Sequence, residues 1–296
     1  MGAANHEKTV FLRIIESKKF LLYPKYKFVQ TSTDQEALIL NFGFDLLVYK
    51  LYQRRLWNQI KEGIRPRHIA LIMDGNRRYA RAKKLPSHYG HKLGRKKLTQ
   101  VLEWFWDLNI EYVTIFAFST ENFNREDKEV SELMQLFETT FHELVDHPEL
   151  QSRNVKIKVI GRIYQLPDEV QEAIRAAEKS SKNDLPGPTL IIAVGYSGRA
   201  EMIDAMKSIA QKIKDGQITV DEIDEVLVEQ HLYTDGIPDP DIIIRTSGEE
   251  RLSGFLTWQS VYSELYFADV FFPGFRKIDL WRAIRVFQQR KRRYGR

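Results

Sequence analysis

The chain has 296 residues, 43% of them apolar and 29% charged, so it can fold around a substantial core and is not a low-complexity disordered segment. It contains no cysteine, which excludes disulfides, zinc–thiolate sites, iron–sulfur clusters and a cysteine nucleophile at once, and fits a reducing compartment. Forty-five Lys and Arg against forty Asp and Glu leave +5, a mild excess that suits an anionic ligand or surface no more than it suits solubility.

Residues 1–35 are basic and show no clear periodicity. No stretch reaches the roughly 18 apolar residues of a membrane span, and the opening lacks the apolar run and small-residue cleavage site of a secretory signal. A cytoplasmic protein that does not span a membrane is expected. Between 37 and 60, Leu40, Phe44, Leu47, Leu51 and Trp57 recur at helical spacing with Lys50, Arg54 and Arg55 between them, which predicts an amphipathic helix. Such a helix packs on a domain or lies on a membrane surface, so a peripheral membrane contact of residues 1–65 stays open. Residues 1–65 are read as an N-terminal extension and 66–296 as one domain.

Beyond GIRPR (63–67), short apolar runs rich in β-branched residues cover 68–74, 111–119, 155–161, 189–196, 241–246 and 264–272. Helical patterns cover 92–108, 127–146, 167–181, 198–214 and 221–230. Runs that are apolar throughout belong to strands covered on both faces. The expected fold is therefore α/β, a single domain with a six-stranded, mostly parallel sheet flanked by helices. Residues 276–296 hold nine basic residues against one acid, Asp279, read either as a solvated helix face with its tail or as an anion contact.

In open α/β sheets, ligands bind beyond the carboxyl ends of the strands. The first run is followed by Asp74-Gly75-Asn76-Arg77-Arg78-Tyr79-Ala80. A carboxylate, then Gly and Asn, then a basic helix start make an anion site, and an acid there suits a phosphate only with a divalent cation between them. The alternative is a capping Asp with surface arginines. The second run is followed by Ser119-Thr120-Glu121-Asn122-Phe123-Asn124-Arg125, the fourth by Ser197-Gly198-Arg199, and the fifth by Arg245 through Ser253. The sixth opens with Glu264. Taken together these ends describe a site for more than one phosphate-bearing ligand with Mg²⁺, Asp74 and Glu264 supplying the acids.

Competing motifs are absent: there is no G-x-x-x-x-G-K-[ST] loop and no G-x-G-x-x-G fingerprint. Ser197 lacks the spacing of a nucleophile elbow. His88 and His91, or His142 and His147, lack H-E-x-x-H spacing, and no Asp-Asp pair exists for a D-D-x-x-D clamp.

HIALIMDGNRRYA (68–80), GHKLG (90–94), FSTENFNR (118–125), RTSGEERLSGFLTWQSVYSELYF (245–267) and RRYG (292–295) resemble, in order, the cis-prenyltransferases, the undecaprenyl and dehydrodolichyl diphosphate synthase family. The resemblance implies a homodimer with a parallel sheet and an apolar tunnel, adding isopentenyl diphosphate to an allylic diphosphate in cis geometry. By the same resemblance Asp74 is the Mg²⁺-associated catalytic aspartate, and Gly75, Asn76, Arg77 and Arg78, beside Tyr79, grip the allylic diphosphate. His91 lies near that diphosphate. Ser119 and Asn122 order the reacting ends, with Thr120, Glu121, Phe123 and Arg125 beside them. Arg245, Arg251 and Ser253, with Leu252 between, match the isopentenyl diphosphate site, and Glu264 matches the second metal-associated acid. Arg293 and Gly295 look like the terminal R-x-G that reaches the partner subunit's site.

Arg77 stands where bacterial members have Gly, a pattern similar to archaeal and eukaryotic members. Tyr79 and Phe123 replace tryptophans, Ser87 stands where many bacterial members have an arginine, and Gly195 and Ser197 depart from N-Y-G-G-R. Leu98, Leu102, Phe105 and Trp106, with Met134, Phe137 and Phe141, line the tunnel or form ordinary core. The archaeal pattern suggests geranylgeranyl diphosphate as primer for an undecaprenyl-type glycosyl carrier lipid; farnesyl diphosphate and a longer dolichyl-type product is the rival. A catalytically silent partner subunit would have lost Asp74 and Glu264, and a nucleic-acid-binding protein would leave those acids unexplained.

Overall fold

Strands that lie in the middle of a sheet must be apolar on both faces, and that requirement orders this one. In the computed structural model, which describes residues 47–181 and 185–290, six strands form one sheet: β1 (His68–Ile72), β2 (Tyr112–Ser119), β3 (Lys156–Ile160), β4 (Thr189–Tyr196), β5 (Ile242–Arg245) and β6 (Glu264–Phe267). Their order is β3-β4-β2-β1-β5-β6, and every pairing is parallel, so the sheet is wholly rather than mostly parallel. β1 and β5 are buried at every position, whereas the edge strand β3 alternates. Lys156 and Lys158 share the more open face of β3, where charge discourages a second chain from pairing with the edge.

Compactness divides the chain into Met1–Tyr52 and Gln53–Arg296. Of the first unit only residues 47–52 are described, and they are helical; the rest of the predicted helix before 47 lies outside the described residues. In the second unit residues 53–60 are helical (α1), with Leu56 and Ile60 buried and Trp57 against Trp281, ring centroids 5.2 Å apart. This segment thus packs on the domain. Among the described residues no helix is long and apolar enough to cross a membrane.

The remaining helices are α2 (Asn76–Ala82), α3 (Ser87–Asp107), α4 (Asp127–Val145), α5 (Pro148–Ser152), α6 (Asp168–Ser180), α7 (Gly198–Lys214), α8 (Glu225–Glu229) and α9 (Lys277–Gln289). α3 begins at Ser87 rather than 92, because its polar first turn carries no apolar periodicity to read. The helix expected over 221–230 shrinks to α8, whose cap is Asp224 accepting from the Leu227 N–H at 2.7 Å. The sixth strand stops at Phe267, where the chain turns away, and the Phe272 N–H donates to the Asp74 carbonyl at 3.0 Å.

β1 lies between β2 and β5, so the sheet winds outward in two directions from it. Ligand sites of open α/β sheets form at such a switch point, beyond the carboxyl ends of the two diverging strands. Here those ends are Ile72 and Arg245, which pair directly.

Candidate active site

Asp74 follows β1 by two residues, and Arg245 is the last residue of β5. Arg245 is 4% exposed, and its Nη2 donates to Asp74 Oδ2 at 2.8 Å. Its Nη1 donates to Ser253 Oγ at 2.8 Å and to the Arg251 carbonyl. The Nε–H is buried without a protein acceptor, a donor that an anionic ligand would satisfy. The other Asp74 oxygen accepts from Arg78 Nη2 at 3.2 Å, and the same nitrogen donates to Ser247 Oγ at 2.8 Å. Arg78 Nη1 reaches Glu249 at 2.8 Å, and Glu249 also binds Arg251 at 2.5 Å. Burial alone would raise the Asp74 pKa. The Arg245 hydrogen bond and charge, with Ser247 and Arg78, outweigh it and hold the carboxyl below its ordinary range.

Two close approaches fix the loop after β1. Gly75 has φ +99°, and a Cβ there would lie 2.6 Å from the Phe271 ring. That ring also lies under the Arg78 guanidinium, 5.5 Å from its centroid. α3 crosses α2 at backbone contact: a Cβ on Gly90 would sit 2.2 Å from the Asn76 carbonyl oxygen, and one on Gly94 2.5 Å from Asn76 Oδ1. Gly90→Ala must push the two helices apart, and we expect overpacking of about 2 kcal/mol, or a Tm lowered by roughly 5 °C in a domain of this size. Calorimetry checks this; an unchanged Tm would mean that α2 slides freely.

A second cluster gathers around Glu129 in the first turn of α4. Arg125 donates to it at 2.9 Å, Arg77 stands 3.5 Å away and His91 Nε2 3.7 Å away. Burial, then the Arg125 charge, push the His91 pKa below the ordinary histidine value, so it is neutral at pH 7. Neighbours on one helical turn, Arg77 and Arg78 face the two clusters and join them.

Asn122 lies in the short 3-10 turn after β2, and its Oδ1 accepts from the Ser119 N–H at 3.0 Å. With the oxygen committed to backbone, the amide N–H₂ is what it offers a substrate, which suits an orienting donor rather than a base. Phe118 packs edge-on against Phe123 at 4.8 Å and Phe137 at 5.9 Å. Thr120 is half-buried in the same turn, and Glu121 is exposed.

The loop after β5 holds Ser247, Ser253 and Leu256 at positive φ and is anchored from below. Phe255 stacks on Phe116 at 4.6 Å, Leu252 packs against the same core, and the Gly198 N–H donates to the Gly254 carbonyl at 2.7 Å. Buried Glu201 ties β4 to this loop, accepting from Tyr196 Oη at 2.5 Å and from Gln259 at 3.2 Å.

The expected residues are not all brought together. Glu264 pairs in register with Ile242, as does Ile69, so it stands at the amino-terminal end of the sheet, opposite to Asp74 of the same chain. There it binds Arg290 at 2.7 Å. Arg293 and Gly295 lie outside the described residues. Ser247 and Glu249, within the expected segment after β5 but given no role of their own there, bond Arg78, and Glu129, which was not expected at all, gathers Arg77, Arg125 and His91. Of the expected tunnel residues, Leu102 and Trp106 line a pocket of about 400 Å³ between α3 and α4, and Met134 lines another of about 520 Å³ between α4 and α6.

The family model described as putative undecaprenyl diphosphate synthase matches residues 72–295. The chain is 49% identical over 248 residues to the tritrans,polycis-undecaprenyl-diphosphate synthase (geranylgeranyl-diphosphate specific) of Pyrococcus abyssi, covering 84% of this chain and 94% of that one. The namesake from Methanocaldococcus jannaschii is 49% identical over 250 residues, covering 84% and 89%. Among solved structures, lavandulyl diphosphate synthase from Lavandula x intermedia in complex with dimethylallyl diphosphate superposes with a TM-score of 0.73 at 36% identity, over 78% of this chain and 98% of that one. A probable undecaprenyl diphosphate synthase from Campylobacter jejuni gives 0.64 at 30% identity, over 79% and 100%. With the Asp74–Arg245 pair at the switch point of a parallel sheet and relatives that match over most of its length, this chain belongs to the undecaprenyl diphosphate synthase family of cis-prenyltransferases.

Proposed function

We propose that this protein adds isopentenyl diphosphate units in cis geometry to geranylgeranyl diphosphate, making tritrans,polycis-undecaprenyl diphosphate, a precursor of a glycosyl carrier lipid. The observation that carries the reaction is the Asp74–Arg245 pair, with Arg78, Ser247 and Ser253 on its flanks. It places a carboxylate and two guanidiniums at one point where two diphosphates can meet. The primer rests on the relatives at 49% identity, which are named for that specificity.

In this reading the allylic diphosphate lies on Gly75–Arg78, and Arg77 and Arg78 take up charge as the allylic C–O bond breaks. Arg245, Arg251 and Ser253 hold isopentenyl diphosphate so that its double bond meets the allylic carbon; positioning then supplies much of the rate. The new C–C bond leaves a proton to be lost to pyrophosphate or water, with Asn122 orienting the reacting ends.

Among the described residues no three acids or histidines cluster as a metal cage. Mg²⁺ does not require one, since it is held by one or two carboxylates together with substrate phosphates and water. Asp74 fits that role: it is 28% exposed and keeps acceptor directions beyond the two used by arginines. Bound there, Mg²⁺ would neutralise charge on the leaving pyrophosphate.

The working unit in this reading is a homodimer. Arg290 is the root of the R-x-G tail and is bonded to Glu264 at the sheet end remote from its own Asp74. A tail and an acid rooted there serve the site of a second copy.

The test is elongation with labelled isopentenyl diphosphate and Mg²⁺, offering geranylgeranyl or farnesyl diphosphate, with products sized. Geranylgeranyl diphosphate is expected to give kcat/KM about tenfold higher, the worth of one or two buried methylenes or more, and an undecaprenyl-length product. A preference for farnesyl diphosphate overturns the primer assignment, and no elongation with either primer overturns the synthase reading.

A further inference from the structure

Between Asp74 and Glu103 the chain carries no acid. Arg81, Lys83, Lys84, Lys92 and Lys96, on the α2–α3 turn and the outer side of α3, are all exposed. Two large apolar side chains stand out among them, Leu85 at 40% and Tyr89 at 47% exposure. Lys84 sits at φ +57° in the turn, and Lys83, Lys84 and Leu85 are consecutive exposed residues there. Lys92 lies 5.8 Å from the Tyr89 ring centroid, which keeps cation and ring side by side. The pocket between α3 and α4 is lined by the exposed Lys92 and Lys96 together with Leu102, Trp106, Leu144 and Leu150. The acids lining the same pocket are Glu103, Glu143 and Glu149, and Glu143 is paired with Arg95 at 2.8 Å.

We propose that this face, the α2–α3 turn with the outer side of α3, seats the protein on an anionic lipid bilayer. Each basic residue close to an anionic leaflet contributes attraction that salt screens. Leu85 and Tyr89 supply the part that salt does not remove, since a leucine and an amphipathic ring enter the headgroup region. Nucleic acid would satisfy the charges but not the exposed leucine. The assignment is independent of the primer and of residues 1–46, and a lipid product gives such a surface its use.

The test is co-sedimentation of the full chain with phosphatidylcholine vesicles, with and without phosphatidylglycerol. Binding is expected only with phosphatidylglycerol and to fall with salt. Lys83→Gln/Lys84→Gln should weaken it about 30-fold, and Leu85→Ser should remove the fraction that survives high salt. Elongation without vesicles should be unchanged in these variants. Absence of vesicle binding, or variants that bind like the parent chain, overturns the proposal. So does a loss of elongation without vesicles, which would make the lysines substrate-steering groups, or duplex DNA binding in place of vesicle binding.

Discussion

Asp74→Asn is expected to lower kcat/KM for isopentenyl diphosphate by about 10³-fold, roughly 4 kcal/mol of transition-state stabilisation, in a protein that stays folded. The substitution keeps the shape and one acceptor for the Arg245 guanidinium at 2.8 Å, so the buried cation is not stranded. What it removes is the negative charge that can hold a divalent cation against two diphosphates. Asp74→Ala should be as inactive and also less stable, because Arg245 then keeps only Ser253 and the Arg251 carbonyl. Comparing product formation and Tm for the two variants separates charge from packing. Because arginines hold the carboxyl below its ordinary range, Asp74 stays ionised as pH falls from neutral through the usual aspartate pKa. Its contribution to stability is therefore lost only as pH passes below that into its own lowered range. Asp74→Asn activity within tenfold of the parent would mean that the carboxylate is structural.

Much of this site was legible because strand ends are legible. Asp74 and Arg245 each close an apolar run, and the rule that ligands collect at carboxyl ends brings them together from sequence alone. Glu129 was not legible: an acid in the first turn of α4, beside Asp127, looks like an ordinary partner of the helix dipole. Only tertiary packing brings Arg77 and His91 to it. Ser247 and Glu249 lay inside a segment already singled out, but their bond to Arg78 depends on a turn with Ser247 at φ +78°, which composition does not announce. Glu264 carried a usable signal in the opposite direction. It opens its strand, and in a parallel sheet the residue that opens a strand lies at the end away from the site. Resemblance named the residue, but the register shows where it stands in one chain.

That displacement leads to a sharper test of the proposed dimer. Chains carrying Asp74→Ala, and chains carrying Arg293→Ala, should each be inactive alone. Co-expressed with two tags, they should recover about a quarter of parental activity, since half the dimers are mixed and each mixed dimer has one intact site. That site combines Asp74 from one chain with the tail of the other. No recovery would mean that the tail serves its own chain, against its root at the far end of the sheet. Glu264 is expected to travel with the tail, because Arg290 joins them at 2.7 Å. Glu264→Gln with Asp74→Ala should therefore recover activity as well, whereas Glu264→Gln with Arg293→Ala should not: in that mixture each site receives one damaged element from its partner. If Glu264 acted on its own chain's site instead, Glu264→Gln with Arg293→Ala would recover and Glu264→Gln with Asp74→Ala would not, while Asp74→Ala with Arg293→Ala recovers in both cases, so the measured pattern of the three mixtures distinguishes the two arrangements without further structural information.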